Sequence, residues 1–448
     1  MLFNKKKVRC FIKMYMIDLI SKKKLGQSLN KEELKFLTEG IANETIPDYQ
    51  ISAWAMAVYF QGMTNDELVE YTKDIINSGE TMDLSQITGF SIDKHSTGGV
   101  GDKTSLVFAP IAAACGLKVA KISGRGLGIT GGTIDKLEII PNFKCDLAIS
   151  DFIKVVNKVG MSIISQTSNL VPADKKLYAL RDVSGTVDSL PLIAASVMSK
   201  KIAMGADLIL LDIKCGKGAF VQDIVTAREL AKLMVHIGKA FNKKIYAIIS
   251  DMNKPLGRTI GNALELQEVI LSLKNKGPED LKILVSNLVA LALLGAKKVK
   301  TLKEGIDKVN AMFTSEKPLQ IFYDFVKSQG GDTKYLDNID KLPPAKYIIK
   351  VKAQLLGYLD FTNNYALGEL SVILGAGRTT KTDIIDPVAG IYLKQIHGQK
   401  VEKNSVIMEL HTNKDQHFHQ QFLDLAISTF QITNKKYDIK PIILEIIM

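Results

Sequence analysis

The apolar positions between residues 14 and 80 recur with helical spacing. In one segment they fall at i, i+3, i+4, i+7 and i+8, which is one face of an α-helix, and they are Ile51, Trp54, Ala55, Val58 and Tyr59. Two pairs, Asn30 with Glu33 and Thr64 with Glu67, have the spacing of a helix capping box. The pattern therefore predicts a small all-helical domain over residues 14–80.

From residue 90 to about residue 330, short apolar runs alternate with helical segments. The runs that we predict to be strands are Lys118–Ile122, Met161–Ser165, Asp207–Ile213 and Lys243–Ser250. This alternation is typical of a largely parallel sheet covered by helices. Ligands bind beyond the carboxyl ends of such strands, and Ser123, Gly216 and Asp251 each follow a predicted strand.

Residues 345–448 contain short alternating runs separated by turns, such as Lys346–Lys352 and Ala389–Lys394. They predict a separate C-terminal α+β module that is rich in short strands. A chain of 448 residues is long enough for two or three domains. The predicted fold class is α/β, with a small all-helical domain, a large mixed α/β domain over residues 90–330, and this β-rich module.

Two glycine-rich runs, Lys94–Ser105 and Ser123–Thr133, lie in the α/β part of the chain. Glycines let backbone N–H groups approach an anion closely, and the start of a following helix adds its dipole. Side chains that can donate to phosphate oxygens accompany both runs, and they are Lys94, Ser96, Ser105, Lys121, Ser123 and Thr133. The sequence therefore predicts a phosphate site. The Walker pattern GxxxxGK[ST] is absent, which disfavours a P-loop nucleoside triphosphatase.

The net charge of the chain does not by itself identify the class of its binding partner. The formal net charge of +11 could indicate nucleic acid or an anionic substrate, but the lysines are scattered along the whole chain. A basic RNA-binding protein would need clustered lysines interleaved with aromatic residues, which make up only 7% and are spread out. We expect most of this charge to be a solvated surface, and neither nucleic acid nor a membrane as a partner.

The cysteines favour a reducing compartment. They are far apart and show no CxxC spacing, and they are Cys10, Cys115, Cys145 and Cys215. This pattern disfavours a disulfide framework or a structural zinc site and favours reduced thiols in a cytoplasm. The basic N-terminus is followed by an apolar block that Lys13 and Asp18 interrupt, so we do not expect a secretory signal, and Met14 or Met16 could be the true start.

The two glycine-rich runs continue into motifs of a known family. The first begins Lys94-His95-Ser96-Thr97-Gly98-Gly99-Val100-Gly101-Asp102, and the second reads Ser123-Gly124-Arg125-Gly126-Leu127-Gly128 and continues Thr130-Gly131-Gly132-Thr133 to Glu138. They resemble the thymidine and pyrimidine-nucleoside phosphorylases, for which the second run is a signature. The resemblance extends from about Met14 to the C-terminus and includes Ala179-Leu180-Arg181-Asp182.

The resemblance implies a homodimeric enzyme that performs reversible phosphorolysis of pyrimidine nucleosides to free base and α-(deoxy)ribose 1-phosphate. Inorganic phosphate is the implied co-substrate, and no redox cofactor is required. The helical domain is implied to take residues 14–80 and a return segment near 175–205. The C-terminal module resembles the barrel-sandwich hybrid of biotinyl and lipoyl carriers, and a structural role is implied for it. The implied phosphate ligands are the six donors that accompany the glycine-rich runs.

The resemblance also implies the residues that hold the nucleoside. Those that bind the pyrimidine are Arg181, Ser196 and Lys200. His95 would assist the departing base, so the implied catalytic residues are His95, Arg181 and Lys200. From spacing alone, Arg181 could be an exposed arginine and Lys200 a helix-end lysine, with Ser196 one turn before it on the same face.

Lys121 is implied to contact the sugar as well as phosphate. In the broad-specificity members of the family a lysine at this position reaches the 2′-hydroxyl, whereas strict thymidine phosphorylases carry an apolar residue there. The resemblance thus favours uridine besides thymidine and deoxyuridine, with a strict thymidine phosphorylase as the alternative. A more remote alternative is a phosphoribosyltransferase of the anthranilate type, which needs acidic residues for magnesium where this chain has Asp135 and Glu138 inside the phosphorylase signature.

Two positions depart from the family pattern. Ile129 stands where the family usually has a histidine. Some members bind a potassium-like ion at positions that match Gly101, Lys103, Leu256, Thr259 and Glu268. Lys103 replaces a hydroxyl residue there, so its ammonium could point away and leave its carbonyl as a ligand, or it could substitute for the ion.

Overall fold

The protein was analysed in a computed structural model, which describes residues 14–126, 128–129, 131–167, 169–337, 344–378, 380, 383–437 and 439–448. Cys10 and the basic N-terminus lie outside these residues, as do Leu127 and Thr130 of the second glycine-rich run. The chain forms two compact units. The helical unit contains residues 14–80 and 169–203, and the α/β unit contains residues 81–167 and 204–448.

Helices come first along the chain, and strands begin at residue 91. The helices are α1 (Met16–Lys24), α2 (Lys31–Ala42), α3 (Asp48–Gln61), α4 (Asn65–Asn77), α5 (Thr104–Ala114), α6 (Thr133–Glu138), α7 (Ile149–Val159), α8 (Pro172–Ser184), α9 (Leu190–Ala203), α10 (Ile224–Ala240), α11 (Asn262–Leu273), α12 (Glu279–Gly295), α13 (Leu302–Phe313), α14 (Lys317–Ser328), α15 (Thr333–Asp337), α16 (Asn364–Ser371) and α17 (His419–Ser428). The strands are β1 (Ser91–Ser96), β2 (Lys118–Ser123), β3 (Met161–Ser165), β4 (Leu208–Cys215), β5 (Lys244–Asp251), β6 (Thr259–Ile260), β7 (Tyr347–Lys352), β8 (Gly357–Phe361), β9 (Gly390–Leu393), β10 (Lys400–Val401), β11 (Val406–Thr412), β12 (Phe430–Thr433) and β13 (Ile443–Ile447).

The helical unit consists of α1–α4 with the return helices α8 and α9. Both predicted capping boxes are present, at the starts of α2 and α4. In α3 the predicted apolar face is buried except for Tyr59, which is exposed. The buried Lys23 ammonium lies 2.7 Å from a carboxylate oxygen of Glu67, so an ion pair joins α1 to α4.

The α/β unit is built on a six-stranded sheet with the order β13-β5-β4-β1-β2-β3. Strands β1–β5 are parallel, whereas β13 pairs antiparallel with β5. Strands β2–β5 are the four predicted from apolar runs, and β1 coincides with the start of the first glycine-rich run. Helix α5, which is buried along its whole length, packs on β1, β2 and β3, and α10 packs on β4 and β5. The predicted α/β class is confirmed.

The C-terminal residues form two smaller antiparallel sheets, β10-β8-β12 and β6-β9-β11-β7, with α16 and α17 beside them. Strand β6 comes from the α/β part of the sequence and pairs with β9. In the other direction, β13 leaves the C-terminal residues and joins the six-stranded sheet. The hydrophobic pattern predicts neither the pairing of β6 with β9 nor the pairing of β13 with β5.

Two further features of the described residues concern the apolar length of the helices and the state of the cysteines. None of the helices in the described residues is long and apolar enough to cross a membrane. The described cysteines Cys115, Cys145 and Cys215 are buried free thiols. Burial raises the pKa of the Cys115 thiol to about 11, so this group stays protonated at neutral pH.

Candidate active site

The first glycine-rich run begins at a buried charge cluster at the carboxyl ends of β1, β4 and β5. The Lys94 ammonium on β1 lies 3.0 Å from Oδ2 of Asp212 on β4, and the Lys214 ammonium lies 2.8 Å from the same oxygen. All three side chains are fully buried. The Ser250 hydroxyl on β5 donates to the other oxygen of Asp212 at 2.7 Å. One carboxylate therefore holds two ammonium groups in place.

Asp102 supplies the second carboxylate of this cluster. The Ser96 hydroxyl donates to it at 2.5 Å and the Thr104 backbone N–H at 3.0 Å, while the Lys214 ammonium lies 3.9 Å away. Burial raises the pKa of Asp102, but Lys214 and Lys94 outweigh burial and hold that pKa well below its usual value. Burial lowers the pKa of Lys214, whereas Asp102 and Asp212 raise it further, so the net shift is upward. Both shifts favour the charged forms of Asp102 and Lys214.

The glycines of this run let the backbone turn directly into helix α5. Gly101 has a φ of +77°, and a Cβ atom there would lie 2.7 Å from the Leu256 carbonyl oxygen, so a side chain does not fit. The Val100 N–H donates to the Gly218 carbonyl at 3.1 Å, which fixes the middle of the loop. Helix α5 starts three residues after Gly101 and carries the buried Ser105 in its first turn. The Thr104 N–H of this first turn donates to Asp102, so the start of α5 lies beside the charge cluster, as an anion site requires.

The second run leaves the end of β2 at Ser123 and reaches α6, whose first residue is Thr133. Asp135 supports it, because one carboxylate oxygen accepts the Gly126 N–H at 2.6 Å and the other lies 2.8 Å from Nη1 of Arg378. Ile129 packs against the hydrophobic core, and a Cβ on Gly368 in α16 would lie 2.8 Å from its Cβ. The position that usually holds histidine therefore makes apolar contacts with the C-terminal residues here.

Lys121 and His95 lie on β2 and β1, next to the cluster. The Lys121 ammonium is buried, donates to the Lys94 carbonyl at 2.5 Å and lies 4.0 Å from Oδ1 of Asp93. His95 follows Lys94 directly and is half-buried. The structure thus brings Lys94, His95, Ser96 and Lys121 together at the ends of two neighbouring parallel strands.

The predicted pyrimidine ligands lie in the helical unit. Lys200 on α9 forms an ion pair with the buried Asp174 on α8 and donates to the Ser196 hydroxyl at 2.9 Å. Arg181 is also buried, and burial lowers the pKa of its guanidinium.

Three backbone carbonyls accept hydrogen bonds from the Arg181 guanidinium, and they belong to Thr186 at 3.0 Å, Val187 at 2.5 Å and Leu192 at 3.2 Å. A guanidinium has five N–H donors, so two are left by these contacts. Arg181 therefore holds the loop from α8 to α9, which is a structural role that the sequence did not reveal.

The five positions of the family's ion site also converge. The Lys103 ammonium donates to the carbonyl oxygens of Leu256 and Thr259, both at 2.9 Å, and to Oε2 of Glu268 at 2.5 Å. The Thr259 hydroxyl lies 3.3 Å from it. Of the two predicted alternatives, the structure shows an ammonium that points into this set of oxygens.

Asp102, Asp174, Asp212 and Lys214 were not predicted as site residues. Three of them carried a usable signal. Asp212 and Lys214 are charged residues near the carboxyl end of an otherwise apolar strand. Asp174 precedes Arg181 by seven residues, which places both on one helix face.

Family comparisons agree with this architecture. The model described as glycosyl transferase family, helical bundle domain, matches residues 17–79, and that described as glycosyl transferase family, a/b domain, matches residues 89–318. The crystal structure of anthranilate phosphoribosyltransferase from Thermus thermophilus has a TM-score of 0.57 and covers 70% of this chain and 99% of its own, at 17% identity. That likeness shows the fold alone. The class is a glycosyl transferase with a helical bundle and an α/β domain.

The particular family follows from the C-terminal residues and from closer relatives. The model for the pyrimidine nucleoside phosphorylase C-terminal domain matches residues 358–432. Pyrimidine-nucleoside phosphorylase from Bacillus subtilis (strain 168) is 51% identical over 90% of this chain and 93% of its own length, and that from Geobacillus stearothermophilus is 49% identical over the same shares. This chain belongs to the pyrimidine-nucleoside phosphorylase family. The resemblance seen in the glycine-rich runs is confirmed.

Proposed function

We propose that this chain is a pentosyltransferase that catalyses reversible phosphorolysis of pyrimidine nucleosides. The observation that carries the proposal is the buried cluster of Lys94, Lys214 and Asp212 beside the start of α5. The Lys94 and Lys214 ammonium groups share one oxygen of Asp212, and together with adjacent backbone N–H groups they can donate to an anion beside them. Inorganic phosphate is the anion that this family of enzymes implies.

Phosphate is proposed to be held by the α/β unit. Lys94 supplies charge, and the hydroxyls and amides of the two glycine-rich runs supply donors for the oxygens that carry no ion pair. The hydroxyl donors are Ser96, Ser105, Ser123 and Thr133. Asp102 and Asp212 already fix the lysines, so these cations need little reorganisation when the anion arrives. The single O–H of Ser96 donates to Asp102 and must turn to reach phosphate.

The pyrimidine is proposed to be held by the helical unit through Arg181, Ser196 and Lys200. Negative charge develops on the base as its bond to the sugar breaks, and cationic donors stabilise that charge. The two donors of Arg181 that its carbonyl contacts leave, and the ammonium of Lys200, suit the carbonyl oxygens of the base. The Ser196 hydroxyl oxygen can accept from the ring N–H. Asp174 holds Lys200 in one orientation.

The proposed reaction is one displacement. A phosphate oxygen bonds to the anomeric carbon while the bond from that carbon to the base breaks, through a transition state with oxocarbenium character. The electron pair of the broken bond leaves with the base, which then takes a proton with the assistance of His95. A single inversion converts the β-nucleoside into an α-pentose 1-phosphate, so no protein nucleophile and no redox cofactor take part in the step.

We further propose that uridine is accepted besides thymidine and deoxyuridine. Lys121 lies beside Lys94 at the ends of the central strands, so its ammonium can serve the sugar as well as phosphate. A charged donor lost from a ribose hydroxyl costs about 1.5–3 kcal/mol, or at least tenfold in rate.

A homodimer and a cytoplasmic location complete the proposal. Helix α3 presents Tyr49, Ala53, Met56 and Phe60 on one face, and Tyr49 and Phe60 are 72% and 75% exposed. Apolar residues spaced by one helical face and left exposed suit a second copy of this chain. The molar mass by light scattering should be twice that of one chain, and a monomer at all concentrations would contradict this assignment.

The experiment is base release from thymidine, deoxyuridine and uridine with and without phosphate. All three are expected to release base only when phosphate is present. Base release at equal rates without phosphate would contradict a phosphorylase. Transfer from a sugar pyrophosphate to anthranilate, with no phosphorolysis, would favour the phosphoribosyltransferase alternative.

Lys121→Met tests the sugar specificity. It should lower the ratio of uridine to thymidine kcat/KM about tenfold. Lys118→Met is the matched control, since Lys118 lies at the other end of β2 and donates to the carbonyls of Val156 and Asn157. An unchanged ratio in Lys121→Met would show that Lys121 does not take part in recognition of the sugar.

A further inference from the structure

The Lys103 ammonium occupies a cage of the kind that a monovalent cation takes. Its surrounding oxygens are two backbone carbonyls, a hydroxyl and a carboxylate, which are the ligands that hard cations prefer. Lys103, Thr259 and Glu268 are all buried, so the ammonium is shielded from bulk solvent. An ammonium carries the same charge as a potassium ion and is a compact point charge.

A separate ion does not fit beside this ammonium. The nearest oxygen of Glu268 already accepts from Lys103 and from the Thr259 hydroxyl, at 2.5 Å and 2.9 Å. A Cβ atom on Gly257 would lie 3.0 Å from the Lys103 nitrogen, so the backbone closes tightly over the site. A second cation would also face an unscreened like charge in a buried site whose one carboxylate is already paired.

We propose that Lys103 replaces the family's monovalent cation in this chain, so that the first glycine-rich loop is fixed without any added ion. Lys103 is the residue just before α5 and follows Gly101 by two positions. Its ammonium ties that turn to the segment at Leu256 and to Glu268 in α11. The loop that presents Ser96 and Ser105 is thereby anchored by a cation that cannot dissociate. The link from this anchor to activity rests on the proposed function, whereas the anchoring itself does not.

The test compares thermal unfolding in potassium chloride and choline chloride at about 0.1 M, where ionic strength is equal. The wild-type Tm should be the same in both salts, and its rate of phosphorolysis should agree within twofold. Lys103→Thr restores a hydroxyl and removes the charge. Its Tm should fall by about 5–10 °C in choline, because Glu268 loses its partner, and potassium should restore a large part of that loss.

Two further variants separate ion replacement from the loss of any buried ion pair. Lys103→Met keeps the side chain in the cage without its charge, so its Tm should fall with no response to potassium. Lys23→Met removes the buried partner of Glu67 in the helical unit, and the contacts of the Lys23 ammonium with the described residues include no backbone carbonyl. Its Tm should also fall, with no response to potassium.

The wild-type measurement alone can overturn the proposal. A wild-type Tm that rises by more than about 3 °C in potassium would mean that an ion binds in addition to Lys103. Lys103→Thr as stable as wild type in choline would equally count against it. Since unfolding needs no substrate, a wild type that lacks phosphorolysis would contradict only the proposed function and leave the Tm comparison valid.

Discussion

A buried carboxylate with two ammonium partners is costly to remove. Asp212 faces Lys94 and Lys214, so Asp212→Asn leaves these two buried cations with only the more distant Asp102 as a counter-charge and should lower the free energy of unfolding by about 3 kcal/mol. An added anion can then replace the lost charge. Phosphate should therefore raise the Tm of Asp212→Asn more than it raises the wild-type Tm, as measured by thermal unfolding with and without phosphate.

Asp207→Asn is the control for this prediction. Asp207 precedes the same strand, and its carboxylate accepts from the backbone N–H and the hydroxyl of Ser91 without meeting a lysine in these contacts. Its response to phosphate should match the wild type. A wild-type Tm for Asp212→Asn, or a phosphate response no larger than that of Asp207→Asn, would show that the two lysines do not depend on this carboxylate.

The residues of the candidate site differ in how much of their role the local sequence can predict. Lys94 and Ser96 were predicted because they lie inside a glycine-rich run, which is a local signal. Asp212 lies 118 positions after Lys94, and only the pairing of β1 with β4 brings the two together. Arg181 was predicted as a ligand of the base, but its hydrogen bonds to loop carbonyls depend on the path of the chain after α8, which no motif encodes.

At the scale of helices and strands, the hydrophobic pattern was sufficient to predict an element whose residues are buried on one face or along several consecutive positions. Strands β2–β5 and helices α1–α4 were predicted in this way. It was insufficient for β1, because Lys94 at its centre is polar and yet fully buried, stabilised by an ion pair that the sequence does not show. It also assigned Tyr59 to the buried face of α3, although that ring is exposed.

Helix α4 carries a carboxylate that should make its stability depend on pH. Burial and then Glu70 raise the pKa of Asp74 to about 6, against the lowering effect of Lys73 and Lys35. The folded state therefore binds this proton more tightly than the unfolded state does. The contribution of Asp74 to stability is full below about pH 4 and is lost as pH rises through 6. Asp74→Asn should be more stable than wild type by about 1 kcal/mol at pH 8, with allowance for solvent screening, and equal to it near pH 4.

Denaturant unfolding of the variant and wild type at pH 4, 6 and 8 measures this dependence. Asp66→Asn in the first turn of the same helix is the control, and it should have the opposite sign at pH 8, because a negative charge there stabilises the helix dipole. A stability gain for Asp74→Asn that stays constant with pH would contradict the assignment to ionisation.

At the scale of the whole molecule, the order of the sheets departs from the order of the sequence. Residues 345–448 look like one module because their short strands alternate with turns, yet β13 completes the edge of the six-stranded sheet. Strand β5, which β13 covers, carries Ser250 next to Asp212. The last residues of the chain therefore support the strand that helps to fix the charge cluster, a link that depends on long-range pairing and not on any local pattern.

Removal of residues 442–448 should therefore affect more than a surface tail. It exposes the edge of β5, whose N–H and C=O groups lose their partners in β13, and it uncovers an apolar strand. We expect a lower Tm, increased light scattering on heating, and a higher KM for phosphate, because Ser250 would hold Asp212 less firmly. Glu445→Ala removes only the exposed ion pair with Arg228 and should change the free energy of unfolding by no more than about 1 kcal/mol. If the truncated chain matched this control in Tm and in KM for phosphate, β13 would be dispensable to the sheet and to the site.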